Sequence, residues 1–285
     1  MTSSYRSGVI ATILAAIIWS TGGLFIKLLP QSAYAILFYR SIYAAILFLV
    51  VFRSKVFKIN RLTLIASFFY TILLISFVLA TKLTTAANAI FLQYTAPAMV
   101  LLLEPLFFKI KLIKINVITV VISIVGMCLF FVDEFSGTFN WGIVYASISG
   151  FALAGLVISQ RLNYQSAPES SIFLGNIWVV LIMLLFAQPD LSATEVEHSM
   201  LLFLGFIQIG VGYMLFTSGQ KILSALESSL IALLEPILNP IWVVIGYGEY
   251  PSVYAIIGGL IIIAAITLRM VLLRSDETRH PPLSS

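Results

Sequence analysis

Ten apolar stretches constrain this chain more than any other feature of it. They run over 8–29, 32–52, 62–82, 86–107, 114–132, 140–161, 170–187, 199–219, 223–246 and 252–273. A helix needs about 20 apolar residues to cross a hydrocarbon core of about 30 Å at about 1.5 Å per residue. The runs are continuously apolar, without the period-two alternation of barrel strands, so the expected elements are helices. The remainder of the 285 residues is two tails and nine connections, which leaves no room for a soluble domain. Composition agrees: 60% of residues are hydrophobic, 10% are charged and the mean hydropathy is +1.06. A soluble domain carries about 25% charge. A soluble enzyme, a disordered chain and a collagen-like fibre are therefore excluded. The single cysteine, Cys128, excludes a disulfide framework and a Cys-ligated zinc site. The first run is longer than the apolar core of a signal peptide, about 7–15 residues, and leads straight into a second, so it reads as a span and not a cleavable leader.

The net charge of +4 and pI of 9.1 gain meaning only from where the charges fall. With the N-terminus inside, 13 of the 16 basic residues lie in inner loops and tails: Arg6, Arg53, Lys55, Lys58, Arg61, Lys109, Lys111, Lys114, Arg161, Lys221, Arg269, Arg274 and Arg279. Lys27 and Lys82 are left at outer ends, and Arg40 lies within a span. This asymmetry is the positive-inside pattern, and it places both termini in the cytoplasm. The basic clusters are short loops between spans, so they mark topology and anionic lipid, with no nucleic-acid partner expected.

The two halves resemble each other. At an offset of 134, Gly8-Val9 meets Gly142-Ile143 and Lys27-Leu28 meets Arg161-Leu162; at 139, Phe77 meets Phe216, Lys82-Leu83 meets Lys221-Ile222, Ala86 meets Ala225, and Pro97 meets Pro236. Each half holds five spans, an odd number, so the second enters the membrane from the opposite side. The expected fold is an all-α integral membrane protein, with ten transmembrane helices in two inverted five-helix repeats. The first repeat covers 8–132, the second 140–273, and a cytoplasmic tail 274–285 follows. Such halves are typical of secondary transporters, which rock about a site at the midplane.

Particular runs carry a family likeness. Ala16-Ile17-Ile18-Trp19-Ser20-Thr21 with Lys27, Phe38-Tyr39-Arg40, Thr84-Thr85-Ala86-Ala87-Asn88-Ala89 through Gln93-Tyr94-Thr95-Ala96-Pro97, and Leu234-Glu235-Pro236 followed by Gly248-Glu249 recur in order along the chain. They resemble helices 1, 2, 4 and 9 of the EamA family of the drug/metabolite transporter superfamily. One departure is Phe108-Lys109-Ile110-Lys111, where the family often has a Gly-Glu pair. The resemblance implies a carrier for small metabolites in the bacterial inner membrane. Exporters of amino acids are among its members, and so are proteins that import S-adenosylmethionine.

Depth in the spans selects the candidate site. Trp19, Pro97, Trp178 and Glu235 are central in their spans; Gln208 is next to a centre, and Arg40 is two residues from one, about 3 Å along the axis. Arg40 and Glu235 are the deepest ionisable residues, they come from opposite halves, and neither persists facing lipid. One reading is a substrate cavity in which Arg40 holds a carboxylate and Glu235 an amine or a coupling proton. The other is an ion pair pinning span 2 to span 9. Tyr39, Tyr94 and Tyr213 join Trp19 and Trp178 as aromatic lining, and Gln93 and Gln208 are amides at cavity depth. Pro97, Pro236 and Pro240 are expected to break or kink their helices for gating; Pro236 also frees the carbonyl of Ala232.

Enzyme signals are absent. His198 and His280 lack metal-ligand spacing, and there is neither a phosphate-binding G-x-x-x-x-G-K-[ST] loop nor a G-x-S-x-G elbow. No cofactor or metal is expected. The function read from the sequence is a secondary active or facilitative transporter, exporting small metabolites such as amino acids and working as a monomer. An importer of a charged, cofactor-like metabolite and a non-transport membrane protein are the alternatives.

Overall fold

The structure is a computed structural model that describes residues 3–108, 113–129, 132, 140–163, 168–186, 193–220, 222–223, 228 and 231–279. The expected span residues Phe130, Phe131, Ala187, 224–227 and 229–230, the basic residues Lys109, Lys111 and Lys221, and residues 280–285 of the tail with His280 lie outside the described residues.

The apolar runs become helices. They are α1 (Ser3–Ser20), α2 (Gly22–Leu28), α3 (Ala33–Phe52), α4 (Arg61–Leu83), α5 (Ala86–Gln93), α6 (Ala96–Phe108), α7 (Lys114–Leu129), α8 (Trp141–Leu162), α9 (Pro168–Met183), α10 (Glu195–Leu202), α11 (Gly212–Gln220), α12 (Leu234–Tyr247) and α13 (Val253–Arg279). A 3-10 turn, Arg53–Phe57, follows α3, and a π-helical stretch, Phe203–Val211, joins α10 to α11. No strand occurs among the described residues. Among the described residues, six helical segments are long and apolar enough to cross a membrane: Tyr5–Leu28, Ala33–Phe57, Arg61–Leu83, Ala86–Phe108, Trp141–Gln160 and Glu195–Gly219. Lys114–Leu129, Pro168–Met183 and Val253–Arg269 are shorter apolar helices.

Short polar residues set where the helices begin. Side-chain oxygens of Ser32, Asn60, Thr85 and Asn140 accept hydrogen bonds from the first-turn N–H groups of Ala35, Thr63, Asn88 and Gly142. Thr194 and Glu197 form a reciprocal capping box on α10. Pro30, within the turn after α2, follows the end of that helix directly, and Gly248, at φ 76°, closes α12 in the left-handed conformation that favours glycine.

Two spans are interrupted just ahead of their prolines. Tyr94 and Thr95 separate α5 from α6, and Leu233 precedes α12; both interruptions begin three residues before a proline, Pro97 and Pro236. Proline lacks the N–H for the ladder and its ring clashes with the carbonyl four residues back, so the helix yields there. Both prolines sit in the first turn of the helix that restarts, where a missing N–H costs least. Pro240 is carried inside α12.

The helices pack around one interior. α4 lies along α8 and α9, α3 along α9 and the π-helical stretch, α1 along α11 and α12, and α7 along α13. Ile26, Leu37, Leu74, Ile90, Ile143, Ile172 and Leu204 belong to the buried core. Leu185, Leu106 and Ile245 are 80%, 76% and 73% exposed, as expected of side chains that a bilayer covers in place of water. The protein is thus an all-α, multi-pass membrane protein.

Candidate functional site

Arg40 projects from α3 into the interior and is 2% exposed. Its Nη2 donates to Gln208 Oε1 at 3.0 Å. The approach depends on Gly205: a Cβ there would lie 2.7 Å from the Arg40 carbonyl oxygen and 2.5 Å from Tyr43 Cβ. The missing side chain lets the π-helical stretch press against α3, and a π turn is a common means of aiming a functional side chain. Gln208 Nε2 reaches back to the Trp19 carbonyl at 3.4 Å. Nε and Nη1 of Arg40 have no partner among the described residues. A buried guanidinium with donors left over has the chemistry to hold an anion, since burying charge without compensation is expensive.

An aromatic wall stands beside it. The Tyr213 ring meets Trp19 edge-on at 5.2 Å and Tyr70 at 6.1 Å, and Trp19 contacts Phe216 at 5.0 Å. Asn176 Nδ2 donates to the Tyr70 hydroxyl at 3.2 Å and to the Ile172 carbonyl at 2.8 Å, while its Oδ1 has no partner among the described residues. Tyr213 lies within electrostatic reach of both Arg40 and Glu235.

Glu235 occupies the first turn of α12, where the helix N-terminus favours a carboxylate. Its Oε2 accepts from the Tyr94 hydroxyl at 2.8 Å, and that hydroxyl is also 3.1 Å from the Ala232 carbonyl oxygen. A residue at one helix interruption thus caps the carbonyl that proline exposes at the other. Arg40 and Glu235 do not pair with each other. Lys27 and Glu249 instead form an ion pair, at 2.5 Å.

That ion pair ties the last turn of α2 to the segment that follows α12. Lys27 Nζ also donates to the Thr84 carbonyl at 2.7 Å and stands 5.9 Å over the Tyr247 ring; Glu249 Oε1 accepts from the Ala86 N–H, at the start of α5, at 2.7 Å. Between Glu235 and Glu249, α12 presents a stripe spaced by four and three residues. Asn239 lies against Gly23, Trp242 Nε1 donates to Ser20 Oγ at 2.9 Å, and Gly246 lies against Leu24. Asn239 is fully buried, and neither atom of its amide has a partner among the described residues.

The other expected lining residues lie elsewhere on their helices. Tyr39 packs with Phe38, Tyr43 and, across to α10, His198 at 5.9 Å. Trp178 is 42% exposed: two residues on from buried Asn176 is about 200° around the axis, away from the buried stripe Ile172, Gly175, Asn176 and Val179. Gln93 is half-buried, and its Oε1 has no partner among the described residues. Tyr70 and Asn239 are not among the lining residues expected from the sequence. Both sit at cavity depth in apolar runs, which is the available signal.

Comparison with known proteins follows the same lines. The model of the EamA-like transporter family matches residues 6–132 and again 140–271. The uncharacterized transporter YxxF of Bacillus subtilis (strain 168) is 27% identical over 198 residues, a match covering 66% of this chain and 62% of that protein's length. An uncharacterized transporter of Archaeoglobus fulgidus is 23% identical over 268 residues, covering 92% of this chain and 96% of that protein. A crystal structure aligns at a TM-score of 0.65 and 16% identity, over 95% of this chain and 99% of the other, which is a likeness of fold alone.

Proposed function

Because the chain belongs to the EamA-like transporter family, we propose that it is a secondary active or facilitative carrier that exports small metabolites such as amino acids by alternating access. The observation that carries this reading is the pair of opposite charges near the middle of the expected spans, buried Arg40 and part-buried Glu235, which leave each other unpaired. Intramembrane charges mark substrate or ion pathways by default, because a purely structural charge would be neutralised by its nearest opposite. Arg40 offers two donors to a carboxylate, Glu235 forms the opposite pole for an amine or a coupling proton, and Tyr213, in ring contact with Trp19 and Tyr70, lies near both.

We read the chain as ten spans in two inverted five-helix repeats, 8–132 and 140–273. The twofold family match and the equivalent placement of the interruptions before Pro97 and Pro236 support that division. On this reading the Lys27–Glu249 pair is a latch between repeats at the outer end, and the interrupted helices are the moving parts. The distribution of basic residues supports cytoplasmic termini, and a bacterial inner membrane is the expected location. Both repeats reside in one chain, so a monomer suffices.

Purified protein in liposomes loaded with a metabolite pool tests the proposal. Efflux of at least one metabolite faster than from empty vesicles is expected; equal rates for every metabolite overturn it. If Glu235 carries a coupling proton, Glu235→Gln abolishes any dependence of flux on a pH gradient, and unchanged dependence removes that role.

A further inference from the structure

The oxygens around Glu235 outnumber the protons available to them. Pro236 cannot donate to the Ala232 carbonyl, so that oxygen stands exposed at the start of α12. The Tyr94 hydroxyl lies 3.1 Å from it and 2.8 Å from Glu235 Oε2. A phenol has one proton. With Glu235 ionised, three oxygens from two helices share that single hydrogen, and whichever acceptor it leaves is without a donor. Among the described residues the carboxylate also has no cationic partner, since Arg40 is turned to Gln208 and Lys27 to Glu249.

We infer that Ala232 O, the Glu235 carboxylate and Tyr94 Oη form a subsite for a primary ammonium group, R–NH3+. The inference rests on the transporter reading and sharpens it by naming the group bound at this pole. A primary ammonium is a compact charge with three donors, which matches three converging acceptors. In the bound state the Tyr94 hydroxyl turns its proton to Glu235 or away and offers a lone pair to the ammonium, so every acceptor gains a hydrogen. A guanidinium is a planar fork needing acceptors in one plane, whereas these oxygens come from a carbonyl, a carboxylate and a phenol on separate turns. Calcium takes about 6–8 oxygen ligands and magnesium an octahedron, more than this cluster supplies. No group of three His, Cys, Asp or Glu side chains that could hold a metal ion occurs among the described residues. A quaternary ammonium has no N–H to give and leaves all three oxygens unsatisfied. The site therefore discriminates by the number of N–H bonds on nitrogen, and charge alone does not satisfy it.

The test uses n-hexylammonium and its N-methyl, N,N-dimethyl and N,N,N-trimethyl analogues, which keep the charge and change only the N–H count. Binding to the full-length protein in nanodiscs is measured at neutral pH. Affinity is expected to fall at each methylation and by at least tenfold across the series. Equal affinity for all four probes, or tightest binding of the quaternary one, overturns the subsite. Two variants localise it. Glu235→Gln is expected to flatten the series. Pro236→Ala supplies an N–H that occupies the Ala232 carbonyl, so it is expected to weaken n-hexylammonium by several-fold and leave the trimethyl probe unchanged. A series that stays steep in both variants places the ammonium elsewhere and overturns the assignment. Flux assays on the same preparation separate the two readings: transport without N–H selectivity sinks the subsite alone, and N–H selectivity without transport of any metabolite sinks the transporter reading alone.

Discussion

Lys27 and Glu249 meet at one end of the bundle, whereas Arg40 and Glu235, near the middle of the spans expected from the sequence, hold partners other than each other. Each set of contacts joins the first half of the chain to the second, and Arg40 is the most deeply buried of the four charges. At the end, the lysine is further held by the Thr84 carbonyl and the glutamate by the Ala86 N–H, so both charges are satisfied within the protein. At mid-span the neutral partners, Gln208 and Tyr94, orient the charged groups without neutralising them. A satisfied pair holds two elements together, while charges left without an ionic partner among the described residues have capacity for another group. On the transporter reading, the difference separates a part that fastens from a part that binds.

The largest effect is expected from removing the unsatisfied cation. Arg40→Leu should lower liposome flux about 100-fold, the equivalent of about 3 kcal/mol for a buried, hydrogen-bonded charge lost from a binding contact. Arg40→Lys should recover little of it, because a lysine lacks the planar fork. Making the midplane resemble the end is the next largest change: Gln208→Glu gives Arg40 an ionic partner, and flux should drop at least tenfold. Thermal unfolding of the same variant should show a gain of about 1–3 kcal/mol from the charged hydrogen bond. Loss of flux together with loss of stability would show instead that Gln208 is only packing. Making the end resemble the midplane should be milder. Lys27→Met leaves Glu249 half-satisfied and should cost about 2 kcal/mol of stability, between the values for exposed and buried pairs. Adding Glu249→Gln should restore part of that loss; a double variant less stable than either single one would argue against a direct pair. The smallest effect belongs to Trp178→Ala, on the exposed side of α9, which should change stability by about 0.5 kcal/mol or less in detergent-solubilised protein. A strong loss of flux there would extend the cavity to α9.

The sequence offers position along an apolar run, and does not offer position around each helix axis. Arg40 contacts Gln208, and Tyr213 lies near both Arg40 and Glu235, all four having been selected by depth in their runs. Tyr39 and Trp178 have equal depth but another azimuth: Tyr39 is one step, about 100°, from Arg40 and faces Tyr43 and His198. A run that is apolar on every side gives no stripe from which to read rotation. Partnership was equally hidden. Tyr94 and Glu235 are 141 residues apart, and their contact depends on two helix interruptions bringing α5 to the start of α12. The prolines announced the interruptions and the exposed Ala232 carbonyl, but not the hydroxyl that reaches it. Lys27 and Glu249 were visible as residues of a family pattern, without any sign that they touch.

Asn239 bears on how firmly this seam is held. Its fully buried amide, pressed against Gly23, has no partner among the described residues, and an amide buried in that way costs about 1–3 kcal/mol. The Lys27–Glu249 contact works against that penalty with a free energy of the same order. On the proposed alternating-access reading, closure of this seam is a dehydration step with a small net gain, and each opening lets water back onto the amide. An agent that withdraws water from protein surfaces, such as sucrose, should lengthen the dwell in the closed state, and an asparagine made apolar by Asn239→Leu should remove that sensitivity.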